Sequence, residues 1–159
     1  ACKELWMKAF GDDEQFADSF IMRYYSRRRM LTAEAEGRMA AMLHLLPFRT
    51  ELGRTTYIYG VATDPAFRGR GLASQLMREA MRLIAERGDD AAFLIPTPGK
   101  EWLREFYGRF GFAGDVPARF VSADRFDFGT GDAAADRAMV WRRDSSVPLP
   151  EQLTASWRS

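Results

Sequence analysis

The stretch that decides the fold is Tyr59-Gly-Val-Ala-Thr-Asp-Pro-Ala-Phe-Arg-Gly-Arg-Gly-Leu-Ala-Ser74. Residues 57–63 are rich in β-branched and aromatic side chains and predict a strand, which Asp64-Pro65 ends with a turn signal. After the turn, apolar residues recur at helical spacing and predict a helix with one buried face: Leu72, Leu76, Ala80, Leu83 and Ile84. The stretch therefore predicts a strand, a turn and a helix in direct succession.

The turn has the composition of an anion-binding site. A helix N-terminus presents unpaired backbone N–H groups and the positive end of the helix dipole. Gly69 and Gly71 lack the Cβ atoms that would keep a phosphate away from the backbone, and Ala73 is small. Arg68 and Arg70 can add charge-assisted hydrogen bonds. The turn is a candidate pyrophosphate site, although a tight turn with solvated arginines would have the same composition.

Two common phosphate-binding motifs do not describe this turn. The P-loop pattern Gly-x-x-x-x-Gly-Lys-Ser/Thr is absent from the chain. The dinucleotide pattern Gly-x-Gly-x-x-Gly also fails, because Ser74 stands where the third glycine or alanine would be.

Two segments together resemble the GCN5-related N-acetyltransferases, the GNAT superfamily. The segment Arg68-Gly-Arg-Gly-Leu-Ala73 follows Val-Ala-Thr-Asp-Pro65 directly and resembles the acyl-CoA signature Gln/Arg-x-x-Gly-x-Gly/Ala. The segment Glu105-Phe-Tyr-Gly-Arg-Phe-Gly-Phe112 resembles the Phe-Tyr-x-x-x-Gly-Phe stretch on the last helix of that fold. The resemblance covers residues 30–142 and implies an α/β fold. In that fold a mixed, mostly antiparallel sheet is flanked by helices and contains a parallel β-α-β unit that binds acyl-CoA.

The resemblance also implies site residues. The backbone of Val61, Ala62 and Thr63 would pair with the pantetheine arm of acetyl-CoA, beside a bulge that Gly60 favours. Tyr107 would act as the general acid that protonates the departing sulfur. The pyrophosphate would be held by the turn and the first helical residues: Arg68, Gly69, Arg70, Gly71, Leu72 and Ala73.

The general base is unassigned. Many family members use a glutamate on or near the central strand, whereas residues 57–63 contain none. Glu51, Asp64 and His44 are alternatives, each with a competing structural role.

The implied reaction is direct acetyl transfer from acetyl-CoA to a primary amine of a small molecule or peptide. A structural or interaction domain in which the turn binds nothing stays open, and so do two alternatives that keep a role for acyl-CoA. The first is a module of the same fold that binds acyl-CoA without turnover. The second is an acyltransferase that uses another acyl group or a hydroxyl acceptor.

The length and composition of the chain bound its domain organisation and argue against several other functions. The chain has 159 residues, which predict one domain over residues 1–144 and a polar tail over residues 145–159. A net charge of +1 gives no reason to expect nucleic-acid binding, and no apolar stretch is long enough to span a bilayer. A single cysteine, Cys2, favours the cytoplasm, and a single histidine leaves no cluster of metal ligands. A homodimer is left open.

The remaining segments predict further elements. Apolar faces within residues 2–10 and 16–24 predict two helices, with a capping box from Asp12 to Gln15 between them. We expect a hairpin with Glu36-Gly37 as its turn, between strands at residues 30–35 and 38–46, then a loop at 47–56. Further strands are expected at residues 91–95, 118–127 and 138–142, with a flexible acidic loop at 129–136. A helix at residues 100–110 would bury Trp102, Leu103, Phe106 and Phe110, and Tyr107 would point away from their stripe.

Overall fold

The computed structural model describes residues 2–11, 14–121 and 126–158. Asp12, the predicted helix cap, lies outside the described residues. The helices are Cys2–Phe10 (α1), Glu14–Arg23 (α2), Leu72–Glu86 (α3) and Trp102–Gly108 (α4). The strands are Met30–Ala35 (β1), Arg38–Thr50 (β2), Gly53–Thr63 (β3), Ala91–Leu94 (β4), Ala113–Val121 (β5), Arg137–Arg142 (β6) and Leu153–Trp157 (β7).

The strands form one mixed sheet in the order β1-β2-β3-β4-β6-β5-β7, and β2 also pairs with β7. The pairs β1–β2, β4–β6, β5–β6 and β2–β7 are antiparallel. The pairs β3–β4 and β5–β7 are parallel. Because α3 connects β3 to its parallel neighbour β4, the predicted β-α-β unit is present.

The β1–β2 hairpin forms where the sequence predicts it. Its turn residues, Glu36 and Gly37, have φ angles of 52° and 74°. Two consecutive residues at positive φ make a tight turn whose twist matches that of the flanking strands.

The structure overturns the predicted loop at residues 47–56. Strand β2 continues through Pro47 to Thr50, and β3 begins at Gly53. Proline has no N–H to donate, which is why it argues against a strand in sequence. Here its carbonyl still accepts a hydrogen bond from the N–H of Arg158 at 2.9 Å.

The chain divides into two compact units. The first comprises residues 1–45 and 60–80. Its core is built on aromatic contacts, with the Trp6 and Phe20 rings stacked at 4.8 Å between centroids. Phe20 also meets the ring of His44 edge-on at 5.0 Å. Trp6, Phe20 and His44 are all at most 2% exposed, so α1, α2 and β2 share a dry interior.

The second unit comprises residues 46–59 and 81–159. The Tyr57 ring stacks on Phe93 at 4.5 Å, with the two planes 3° apart. The Tyr57 hydroxyl donates a hydrogen bond to the carbonyl oxygen of Phe128 at 2.6 Å. Phe48 meets Phe128 edge-on at 5.3 Å, so an aromatic cluster fills this interior.

The C-terminal segment differs from the predicted polar tail. Residues 153–157 form β7, which pairs in parallel with β5 from Ala118↔Leu153 to Val121↔Ser156. Trp157 also faces Phe48 of β2 across the antiparallel pair. Strand β5 begins at Ala113 rather than at residue 118, and residues 122–125 of that predicted strand lie outside the described ranges. One domain over residues 1–144 stays a prediction.

None of the helices in the described part of the chain combines the length and apolar composition that crossing a bilayer requires.

Candidate functional site

Gly60 interrupts the regular conformation of β3 just before the strand ends. Its φ is 65°, which favours glycine. A Cβ atom at this position would lie 2.8 Å from Cζ3 of Trp6 and 3.0 Å from Cδ2 of His44. Glycine is therefore required here for space as well as for backbone conformation. The next three residues, 61–63, complete the strand.

Asp64 organises the turn that follows β3. Its backbone N–H donates to the carbonyl oxygen of Ala40 at 2.7 Å. Its side chain accepts a hydrogen bond from the N–H of Ala66 at 2.9 Å and caps a single 3₁₀ turn, Pro65–Phe67. That bond is the main reason why the pKa of the Asp64 carboxyl lies below its ordinary value, and Lys8 adds to the effect from 3.3 Å. The carboxylate thus has a structural task.

The glycine turn is open where the sequence predicts a phosphate. Gly69 and Gly71 have φ angles of 80° and 74°. No atom lies within 4 Å of the place where a Cβ atom would stand on either residue. Residues 68–71 are exposed, and α3 begins directly afterwards with no acidic side chain in its first turn. No carboxylate of that turn therefore offsets the positive end of the helix dipole.

The ring of Phe67 contacts two arginines, one of which belongs to this turn. It is 1% exposed. The guanidinium groups of Arg38 and Arg70 each lie 4.9 Å from the centre of its ring. Arg70 also lies 3.8 Å from the carboxylate of Glu36. These contacts hold Arg70 beside the two glycines while half of its side chain stays exposed.

Each of the three alternatives for a general base is either buried or held by hydrogen bonds within the fold. His44 is fully buried, and desolvation, aided by the charge of Arg29, lowers its pKa to about 4. Glu51 accepts the backbone N–H of Thr154 at 2.7 and 3.0 Å through its two carboxylate oxygens. Asp64 caps the turn after β3. The base therefore stays unassigned.

Tyr107 lies on the buried face of α4, in the second unit. The sequence predicts that it points away from a buried stripe, and this orientation is wrong. Leu103 and Tyr107 are 8% and 7% exposed, whereas Trp102 is 62% exposed. Burial raises the pKa of the Tyr107 hydroxyl to about 12. The phenol consequently keeps its proton throughout the neutral range.

Across residues 2–11, 14–121 and 126–158, no three or more His, Cys, Asp and Glu side chains come together in a way that could hold a metal ion.

The family follows from a match to the Acetyltransferase (GNAT) domain, which covers residues 1–114. This protein belongs to the GNAT acetyltransferase family. A comparison with curated proteins gives no match.

Solved structures share the fold. One is the Escherichia coli GNAT family N-acetyltransferase YhbS in complex with CoA. It is 17% identical with a TM-score of 0.65, over 98% of this chain and 82% of that one. Another is a Brucella melitensis GNAT family acetyltransferase in complex with acetyl-CoA, at 16% identity and a TM-score of 0.63, over 99% and 88%. A GCN5-related N-acetyltransferase from Anabaena variabilis gives 18% and 0.63, over 72% and 29%. These similarities confirm the predicted fold class, a mixed sheet flanked by helices.

Proposed function

We propose that this protein is an N-acetyltransferase, which moves an acetyl group from acetyl-CoA to a primary amine of a small molecule or peptide. The observation that carries the proposal is the open glycine turn at the start of α3. Gly69 and Gly71 expose backbone in the left-handed region, and no atom occupies the space beside them. Family membership, and the CoA and acetyl-CoA bound by the E. coli and B. melitensis proteins, support the same ligand.

In this proposal the pyrophosphate of acetyl-CoA rests on the turn and on the first turn of α3. Backbone N–H groups around Gly69 and Gly71 donate to its oxygens, and the helix dipole favours its charge. Arg68 and Arg70 add charge-assisted hydrogen bonds. Leu72 and Ala73 contribute the first helical amides, and Ala73 is small enough to allow close approach.

The pantetheine arm would pair with the end of β3. Gly60 turns the backbone out of regular strand geometry at φ 65°. The main-chain groups of Val61, Ala62 and Thr63 follow, and they would bind the arm as a neighbouring strand would. Ala62 is buried and its two neighbours are half-buried, so the backbone is held firmly.

The reaction is direct attack in a ternary complex. A neutral amine attacks the thioester carbonyl, and a tetrahedral oxyanion forms. The oxyanion then collapses and expels the CoA thiolate. Binding both reactants together supplies proximity, and a backbone N–H of β3 would stabilise the oxyanion. Tyr107 is the proposed general acid, because its hydroxyl is protonated at neutral pH and can protonate the departing sulfur.

The first test is thiol release from acetyl-CoA with a panel of amines: polyamines, amino acids, aminoglycosides and short peptides. Calorimetric titration with acetyl-CoA runs in parallel. We expect saturable binding and release that depends on one class of acceptor. The absence of both binding and acceptor-dependent release would refute the proposal.

One observation favours a second candidate, a module that binds acyl-CoA without turnover. Residues 57–63 contain no glutamate, and His44, Glu51 and Asp64 are all engaged structurally. This candidate predicts binding of acetyl-CoA with no thiol release above the rate without protein, whichever amine is present.

The pH dependence of turnover shows whether the protein supplies a base that titrates near neutral pH. We expect kcat/KM for the amine to rise steadily from pH 6 towards the pKa of the free amine. No step is expected at the ordinary histidine pKa of about 6.5, because His44 titrates at about 4. No falling limb is expected below pH 10, because the pKa of Tyr107 is about 12. A plateau reached near pH 7 would instead reveal a base on the protein.

A further inference from the structure

The start of β2 lies beside the glycine turn, in the first unit. The backbone N–H of Asp64, which follows β3, donates to the carbonyl oxygen of Ala40 at 2.7 Å. Arg38 is the first residue of β2, two positions before Ala40, and it pairs with Ala35 across the hairpin turn. The hydrogen bond therefore ties the strand that carries Arg38 to the segment that leads into the glycine turn.

The ring of Phe67 shows how close Arg38 comes to that turn. The guanidinium carbons of Arg38 and Arg70 each lie 4.9 Å from the centre of this ring, so they are separated by no more than twice that distance. The ring is buried, whereas Arg38 is exposed. A guanidinium over an aromatic face keeps its N–H groups at the edge of its own plane, where they can donate to an anion. Arg38 therefore extends the positive charge of the glycine turn onto β2.

The carboxylates near Arg38 and Arg70 already have cationic partners. Glu36 lies 3.8 Å from Arg70. The charge of Arg38 reaches Asp64, but that carboxylate lies 3.3 Å from the ammonium group of Lys8. Within the described ranges of the chain, no carboxylate forms a salt bridge with Arg38. An arginine has five N–H donors, and those of Arg38 are available to a ligand.

Acetyl-CoA carries a phosphate for which the proposed pyrophosphate site supplies no partner. The pyrophosphate would use backbone N–H groups of the glycine turn and of the first turn of α3. A further phosphate is attached to the ribose, one sugar away from the pyrophosphate. As a phosphate monoester it has about −1.5 to −2 charges at pH 7 and three strong acceptor oxygens, which suit the planar fork of a guanidinium.

We propose that Arg38 binds the ribose phosphate of acetyl-CoA and makes the protein prefer acetyl-CoA to acetyl-dephospho-CoA, which lacks this phosphate. The inference rests on the proposed function, because it adds a contact to the same ligand. Phe67 holds the guanidinium of Arg38 beside the turn, so less side-chain freedom is lost on binding. Arg38 is thus a specificity-determining residue on a strand that the acyl-CoA signature, residues 68–73, does not include.

The test is calorimetric titration of the parent and of Arg38→Gln with acetyl-CoA and with acetyl-dephospho-CoA. We expect the parent to bind acetyl-CoA about tenfold more tightly, since one charge-assisted hydrogen bond contributes about that factor. Arg38→Gln should bind acetyl-CoA about tenfold more weakly than the parent does, and should bind acetyl-dephospho-CoA as the parent does. The two losses should not add, because each removes one side of the same contact.

Arg28→Gln is the matched control. Arg28 is exposed and lies just before β1, at the end of the hairpin away from the Glu36-Gly37 turn. This variant loses the same charge and should keep both affinities. Arg38→Lys keeps the charge without the planar fork, and should recover part of the affinity that Arg38→Gln loses. Circular dichroism would show that each variant is folded.

The two ligands test the inference on the parent alone, even if a variant fails to fold. Equal affinities of the parent for both would overturn the inference and leave the proposed function standing. Binding of neither would overturn the inference together with the phosphate site on which it rests. A loss in Arg38→Gln that is the same for both ligands would also overturn it, because Arg38 would then act only through Phe67 and the shape of the turn.

Discussion

Burial shifts the pKa values of two buried side chains, Tyr107 and His44, in opposite directions. It raises the pKa of the Tyr107 phenol to about 12 and lowers that of the His44 imidazole to about 4. Both shifts have the same main cause, because a poorly solvated environment disfavours whichever form is charged. At neutral pH the phenol is therefore protonated and can donate its proton, whereas the imidazole is neutral.

Replacing Tyr107 by phenylalanine tests its role as the acid. We expect Tyr107→Phe to lower kcat about a hundredfold, since general acid catalysis contributes about 10² to 10⁴. The calorimetric affinity for acetyl-CoA should change less than twofold. Tyr24→Phe, which removes a phenol from a buried position just after α2, is the control and should keep full turnover. Equal kcat values for the two variants would remove Tyr107 from the mechanism.

His44 should make the protein less stable in acid. Its folded pKa of about 4 lies below the unfolded value of about 6.5, so the unfolded chain takes up the proton first. The contribution is fully present above pH 6.5 and is lost as the pH falls through 4. The difference corresponds to about 3 kcal/mol.

Denaturant unfolding at pH 7 and pH 4 measures this loss. His44→Leu removes the imidazole and should lose less stability than the parent over the same interval. Carboxylates such as Asp115, whose pKa is lowered chiefly by Arg137, contribute in both proteins and cancel in the comparison. Identical losses in parent and variant would contradict the assignment to His44.

At the scale of elements, a glycine lies near each end of α3, and substitutions of the two glycines test which end binds the pyrophosphate. Gly71→Glu adds a carboxylate where the pyrophosphate is proposed to sit. Two charges about 4 Å apart repel by about 1 kcal/mol in water and about 4 kcal/mol near a protein surface, so the affinity for acetyl-CoA should fall at least tenfold.

Gly88→Glu is the matched control for this substitution. Gly88 follows the other end of α3, at φ 79° and with no atom within 4 Å of its Cβ position. Both variants therefore carry the same charge and similar backbone strain, and calorimetry should show the loss in Gly71→Glu alone. Equal affinities would place the phosphate elsewhere.

Local elements were predictable from sequence, and those that depend on distant partners were not. The Glu36-Gly37 turn and the helix after Gly71 carry their own signals. In the sequence Pro47 favours a loop because it has no N–H to donate. Its place in β2 depends on Arg158, far along the chain, whose N–H donates to the Pro47 carbonyl. The predicted orientation of Tyr107 is wrong because the sequence pattern places Trp102 on the buried face of the helix, whereas Trp102 is 62% exposed and Tyr107 is buried.

At the scale of the whole molecule, the largest difference from the sequence prediction is β7. The residues Leu153, Ala155 and Trp157 alternate with Thr154 and Ser156, which is a period-two signal for a strand. Two nearby prolines and the polar composition concealed that signal. The pairing partners, β5 and β2, are far away in sequence and leave no local trace.

A buried charge in β7 tests whether the strand is integral to the fold. Ala155 is fully buried, so Ala155→Asp should lower the free energy of unfolding by about 3 kcal/mol or more. Gln152→Asp adds the same charge at an exposed position just before the strand and should have little effect. Thermal unfolding measures both. Equal melting temperatures would mean that β7 contributes nothing to stability.

The late position of β7 has a consequence for synthesis on the ribosome. While the chain is being translated, β5 and the end of β2 emerge before the strand that pairs with both of them. Until residues 153–157 leave the exit tunnel, these two strands present unpaired N–H and C=O groups, which can pair with other chains. A nascent chain stalled before residue 153 should therefore be held by chaperones longer than one that carries residues 153–157 and an added linker long enough to bring them out of the exit tunnel.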